Sequence, residues 1–408
     1  MTDTGTPRRM LALLALAALT AGTLVVASGV AGATTVTDEA SFRTAFASVT
    51  PSSTIDLAAN ITLTCGGGGT AAAPGVNPVT VDGHGFTITQ TCAGAGALLV
   101  NGTAAATFQN VTITGGQASG GATGGAIKTH GSLTLTNVVI TGNTSNATGG
   151  GVSALAAAST VTVQHSTITH NAAGTGGGGG IETAGTASIV DSTVSGNTST
   201  AGGAGLSAVL GGQITGSTFT GNAAVAGGGA VAAGGPLQVL DSTFTANTAG
   251  VAGGGGITST SPLTLIYVTM DANTSATGAN VVTTALSSQG SVIVHPLGGG
   301  ANCVAATSAS GGFNLSDDAS CGLSTATDRQ SGNPLLGALA NNGGPTLTEL
   351  PQPGSPLIDA IPVPDCTLGL LALGTVDQRG VPRPQGAGCD VGAVEVVVPV
   401  AVTASFTG

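Results

Sequence analysis

Two aspartates, Asp191 and Asp241, occupy equivalent places in the phrases "SIVDSTVSGN" and "LQVLDSTFTAN". If such phrases stack, the two carboxylates share a column two steps apart, about 9.6 Å at the usual strand spacing. An inverting glycosidase holds its acid and base across a gap of that order, which makes the pair the candidate catalytic residues. Their column reads Asn110, Asn137, His165, Asp191, Gly216, Asp241, Tyr267, a polar corner more than an acid–base pair. Lys128 and His130 in "AIKTHG", and His165 and His170 in "QHSTITHN", have acid–base chemistry but read as solvent-facing positions. Asp82 and His84 in "VDGHGF" read as a turn between strands. Asp317 and Asp318 in "SDDAS" lack a third ligand and read as a solvated loop. Arg379 in "DQRG" has Asp377, Asp359, Asp390 and Glu395 as candidate partners, read as a salt-bridge cluster closing one end of the molecule. A site for an acidic sugar is the second reading of that cluster.

Residues 100–270 otherwise carry only Lys128 and Glu182 as charged groups, with no arginine. A uronate lyase needs a basic residue and, often, carboxylates that hold calcium, and neither pattern is present there. Phosphate loops place a lysine after their glycines, and none of the glycine runs here is followed by one. Calcium-binding nonapeptide repeats place aspartate after glycine, where this chain has Ile, Val or Leu. No cofactor and no metal ligand set is read from the sequence.

The elements that position these residues repeat. "NVVITGN" ends at Asn143, "HSTITHN" at Asn171, "DSTVSGN" at Asn197, "GSTFTGN" at Asn222, "DSTFTAN" at Asn247 and "YVTMDAN" at Asn273; with "NVTITGG" ending at Gly116 the steps are 27, 28, 26, 25, 25 and 26 residues. A second word, "GGAI" to "GGGI", keeps the same beat at Ile127, Val152, Ile181, Leu206, Val231 and Ile257. Such a period with such short apolar runs is a solenoid. Stacking gives three inward columns: that one, Leu135 to Leu265, and Ile113 to Met270. Three apolar columns around one coil describe an all-β, three-faced parallel β-helix. No sustained helical spacing competes, and glycine is costly within helices. Asn143, Asn171, Asn197, Asn222, Asn247 and Asn273 are read as a structural ladder. Each turns the chain in a left-handed conformation, and their amides bond up the column.

The ends differ from the middle. Arg8 and Arg9 precede an apolar run that closes on "AGA", so residues 1–33 read as a signal peptide. Without them the chain keeps five Lys/Arg against 17 Asp/Glu, which argues against a nucleic-acid partner. Residues 34–109 read as an N-terminal cap and first coils, with a short capping helix at 40–49, and 110–300 as the repeats. Residues 301–395 read as an irregular C-terminal cap and 396–408 as a tail too short to cross a membrane. Six cysteines, Cys65, Cys92, Cys303, Cys321, Cys366 and Cys389, suit disulfides in an exported chain. Connectivity is not readable from spacing; sequence-local pairing (65–92, 303–321, 366–389) is the expectation adopted.

"GGAI" and "GGAV" paired with "FTGN" and "FTAN" resemble the repeats of polymorphic outer-membrane proteins. The words "SGGFNLSDDASCG", "NPLLGALANNGGPTLTELPQPGSPLIDA" and "DQRGVPRPQGAGCDVGAVE" resemble the choice-of-anchor Q family of secreted bacterial β-helix proteins. That resemblance implies a right-handed, pectin-lyase-like β-helix, export, and display at or beyond the cell surface. It implies no reaction. The function expected is a non-enzymatic rod in surface structure or adhesion, with an extracellular glycan or matrix protein as partner. A polysaccharide lyase or glycoside hydrolase of the same fold is the alternative. The outward row Thr112, Thr167, Thr193, Thr218, Thr243, Thr269 is the expected ligand face, and Val190, Leu240 and Ile266 the expected partner contact.

Overall fold

The computed structural model describes residues 32–51, 53–250 and 252–397. The signal-peptide segment 1–33 and the tail 396–408 therefore lie outside the described residues, apart from residues 32, 33, 396 and 397. One helix, Glu39–Ala47, closes the first coils. Its start is a reciprocal cap: Ser41 N donates to the Asp38 carboxylate at 2.8 Å, and Asp38 N donates to Ser41 Oγ at 3.2 Å. Phe42 and Phe46, four residues apart on one helix face, stack at 5.4 Å and are fully buried over the end of the core.

One coil consists of Ile127–Thr129, Leu133–Thr136, Val139–Thr141 and Thr144–Ser145. Each strand pairs in parallel with its counterpart in the next coil, so the chain is a right-handed parallel β-helix. The first two strand types share one sheet, the third forms an 11-stranded sheet, and the shortest forms a 6-stranded sheet among the described residues. Alternation drives the packing: in Leu133–Thr136 the leucines are buried and the threonines half-exposed. The inward columns are in register, Ile113 with Ile140, Ile168, Val194, Phe219, Phe244 and Met270. Phe219 and Phe244 stack at 4.9 Å with rings 4° from parallel.

The glycine words fill a place where nothing larger fits. A Cβ on Gly255 would lie 2.4 Å from the Ala279 carbonyl oxygen of the next coil. The ladder asparagines are fully or almost fully buried. Asn197 Nδ2 donates to Asn222 Oδ1 at 3.0 Å and to Ile168 O at 2.9 Å, and Asn197 N donates to the same Asn222 Oδ1. The same set recurs along the row, which runs on through Asn280 and Asn302. Their expected left-handed backbone is corrected by the fold. Positive φ falls one residue earlier, at Gly142, His170, Gly196, Gly221, Ala246 and Ala272. The bend is made beforehand, so the amide points inward and donates to a carbonyl of the preceding coil.

The other left-handed corner is the polar column itself: Asn110, Asn137, His165, Asp191, Gly216, Asp241 and Tyr267 have φ between 43° and 59°. Asn, Asp, His and Gly are the residues that enter this region most readily. Backbone geometry thus accounts for most of a column that reads as chemistry.

The coils do not stop at residue 300. Ala301–Gly312 pairs in parallel with Gly278–Gln289, and Leu315–Ser316 extends the 11-stranded sheet, so the helix runs to Ser316. Cys321 and Leu323 then cover the end of the core. The remainder is not a cap on the end. It turns back and lies along the flank of the 11-stranded sheet: Thr346 Oγ1 donates to Gly216 O at 3.0 Å, Gln378 Nε2 to Thr218 Oγ1 at 2.9 Å, and Ala393 N to Thr269 Oγ1 at 3.0 Å. This strap builds a second core from Leu240, Ile266, Tyr267, Leu357 and Leu371. The disulfides are Cys65–Cys92, Cys303–Cys321 and Cys366–Cys389. Among the described residues no helix is long and apolar enough to cross a membrane.

Candidate functional site

The strap decides which part of the expected ligand face is open. Thr218, Thr243 and Thr269 are buried beneath it, none more than 2% exposed. Thr112, Thr167 and Thr193 remain half-exposed, in register with Thr87 and Val139. Leu240 and Ile266 belong to the strap's own core, which corrects their reading as a partner surface; Val190 alone stays half-exposed.

What remains is a shelf of five coils, about 19 Å long at strand spacing. One edge is the corner formed by His84, Asn110, Asn137, His165 and Asp191. Asn110 Nδ2 donates to Asp82 Oδ1 at 3.1 Å, and Asn137 Nδ2 to Asn110 Oδ1 at 3.3 Å, so amides bridge successive coils. At one end an open hollow of 550 Å³ is lined by residues including His84, Asn110, Thr112 and Asn137. At the other, Thr167 and Thr193 meet strap residues 341 and 344–347 around a hollow of 200 Å³. The surface offers hydroxyls, amides and the His84 imidazole, and no Phe, Tyr or Trp lines either hollow.

The proposed catalytic pair does not share this shelf. Asp191 is half-buried beside His165, with Asp191 Oδ2 3.5 Å from His165 Nε2. Burial raises its pKa and His165 opposes that shift. Asp241 is 4% exposed, beneath the strap, and takes Arg383 Nη2 at 3.2 Å. Burial pushes its carboxyl up to about 7, with Arg383 pulling the other way. Between them stands Gly216, where a Cβ would lie 2.2 Å from Asp191 Oδ1. An inverting mechanism needs both carboxyls facing one sugar, and Asp241 faces protein.

The other candidates divide in the same way. Lys128 is half-exposed, His130 Nδ1 is buried without a partner, and His170 is exposed with Nδ1 at 2.8 Å from Thr169 Oγ1. Asp317 accepts from His295 N and Asn302 Nδ2, and Asp318 from Asn302 N and Ser320 N, which makes both turn anchors. Arg379 holds Asp377 through Nε and Nη2, inside the strap and away from the end of the helix.

One cluster escaped the sequence reading. Asp56 and Asp82 are register partners on adjacent coils, and His84 lies beside both. Asp82 accepts from His84 N, Gln109 Nε2 and Asn110 Nδ2, and these bonds outweigh burial to hold its pKa below the ordinary value. The signal was present in the alternation of "STIDL" and "PVTVD", but two copies are too few to show a column.

Residues 95–274 match a family described as right handed beta helix region. No curated protein and no solved structure matches the chain. Fold and family match together define a β-helix protein and leave its activity open, because this architecture carries many functions.

Proposed function

We propose that the chain is an exported, non-enzymatic β-helix rod that binds an extended, largely uncharged glycan along the shelf between His84 and Thr193. The observation that carries this reading is the open hydroxyl and amide surface beside a strap that buries the rest of the same row. A polyol chain exchanges hydrogen bonds with such a surface at low desolvation cost, coil after coil. Rigidity helps, since a preformed row loses little entropy on binding. Export and surface display are supported by three disulfides, which persist in oxidising compartments, and by the choice-of-anchor Q-like words of the strap.

The test incubates the purified chain with neutral glycans and polyuronates and scores retention and chain cleavage. Retention without cleavage, weakened by Asn137→Leu and Thr167→Val, is the expected result. No retention of any glycan turns the search to matrix proteins. The alternative, a glycoside hydrolase or lyase, is favoured by one observation, the half-buried Asp191 beside His165. Cleavage that Asp191→Ala abolishes would replace the binding role with that activity.

A further inference from the structure

Asp56 and Asp82 face each other across a parallel ladder. Like charges placed directly opposite on a sheet are destabilising. Among the described residues no lysine or arginine forms an ion pair with either, and their shared partner is His84. His84 Nε2 lies 3.5 Å from Asp56 Oδ1, and Nδ1 lies 3.7 Å from Asp82 Oδ1, both longer than hydrogen bonds. One ligand atom from each of the three residues lies within 4.8 Å of the others. Asp82 is oriented by three donors, two of them side chains from the next coil, as a supporting shell would orient a ligand. The His84 ring is exposed at the rim of the cluster.

We infer that Asp56, Asp82 and His84 form a binding site for a first-row divalent cation of the Zn²⁺ class. Two carboxylate oxygens and one imidazole nitrogen suit such an ion, whereas Ca²⁺ takes six to eight oxygens. Bonds of about 2.0–2.2 Å in a tetrahedral site set neighbouring ligand atoms about 3.4 Å apart; His84 Nε2 and Asp56 Oδ1 already stand at 3.5 Å, and closing the three-residue set from within 4.8 Å takes only a small side-chain adjustment. The cation would neutralise the opposed carboxylates. This inference stands apart from the glycan reading, because it needs only the metal.

The experiment titrates Zn²⁺, and separately Ca²⁺, into the untagged, chelator-stripped chain in a calorimeter. Circular dichroism verifies that each protein is folded. The expected result is saturable binding of one Zn²⁺ per chain, tighter than Ca²⁺. Asp56→Asn and His84→Gln should each weaken it at least about tenfold, and His170→Gln, on a distant coil, should leave it unchanged. Two variants guard against one failing to fold. Folded wild-type chain without saturable Zn²⁺ binding, equal binding by the folded variants, or tighter Ca²⁺ binding would each overturn the inference.

Discussion

Asp241 and Arg383 stand 142 residues apart in the chain and 3.2 Å apart in the fold. Arg383 also reaches Glu395 Oε2 at 3.0 Å and lies 4.0 Å above the centre of the Tyr267 ring. A corner of the sixth sequence phrase and the last described stretch of the strap are thereby joined in a buried network. Removing one member of such a network leaves an uncompensated charge inside, at about 3–5 kcal/mol. Arg383 is what holds the Asp241 carboxyl down against burial, so in Arg383→Met that carboxyl should take up a proton and the strap should loosen, increasingly as pH rises. Hydrogen exchange should accelerate at 218–245 and 340–395 and stay unchanged at 127–170. Unaltered exchange in the strap would show that the pair does not fasten it.

The strap should also respond to pH through Glu349. This carboxyl is 4% exposed and faces Asp271, whose other neighbour is His295 Nδ1 at 2.6 Å. Burial, then the Asp271 charge, push Glu349 from 4.5 up to about 8, against a Thr245 hydrogen bond. The docked state therefore holds a proton that the released state has lost. Docking is strongest below about 4.5, weakens as pH rises towards about 8, and is level beyond that. Tyr267, the chain's single tyrosine, sits under the strap and reports on it in near-ultraviolet dichroism. Glu349→Gln should reduce the pH response of that signal, leaving the part that Asp241 contributes; a response as steep as the wild type's would assign it wholly to another group.

Asn222→Leu tests the buried ladder. The substitution orphans Asn197 N and one hydrogen of Asn197 Nδ2, which both bond Asn222 Oδ1, and takes a donor from Val194 O and from Asn247 Oδ1. Each unsatisfied buried group costs about 1–3 kcal/mol, so the loss should be several kcal/mol and the melting temperature should fall. An unchanged melting temperature would mean the amides are dispensable.

Reduction should act at the two ends of the coil and in the strap. Cys65–Cys92 ties neighbouring early coils, Cys303–Cys321 the end of the helix, and Cys366–Cys389 the strap. Constraint is lost where each loop closes. Faster exchange is expected at 60–95, 300–325 and 360–390, with little change at 140–200. Uniform change along the chain would indicate that the bridges support the whole rod.

The repeat itself was legible, because a parallel β-helix writes one register per coil. Ile140, Ile168 and Val194 stack with no other information than a step of 25 to 28 residues. Inward and outward faces followed from alternation, since successive side chains of a strand must point to opposite sides. The exact corner conformation was not legible. Asn143 and Gly142 are both good turn residues, and only the path of the backbone assigns positive φ to Gly142.

Tertiary structure decided the rest wherever the partner has no repeat of its own. Residues 340–395 carry no period, so nothing in their order says that they lie along the coils. Docking there turns Thr243 from a ligand-facing hydroxyl into a buried donor to Gln378, and Asp241 from a candidate acid into a partner of Arg383. The same docking leaves Thr112 and Thr167 open. Local sequence determined the coil, because its contacts recur at a fixed step. The exposed surface depended on a long-range contact made once, and a single contact leaves no pattern to read.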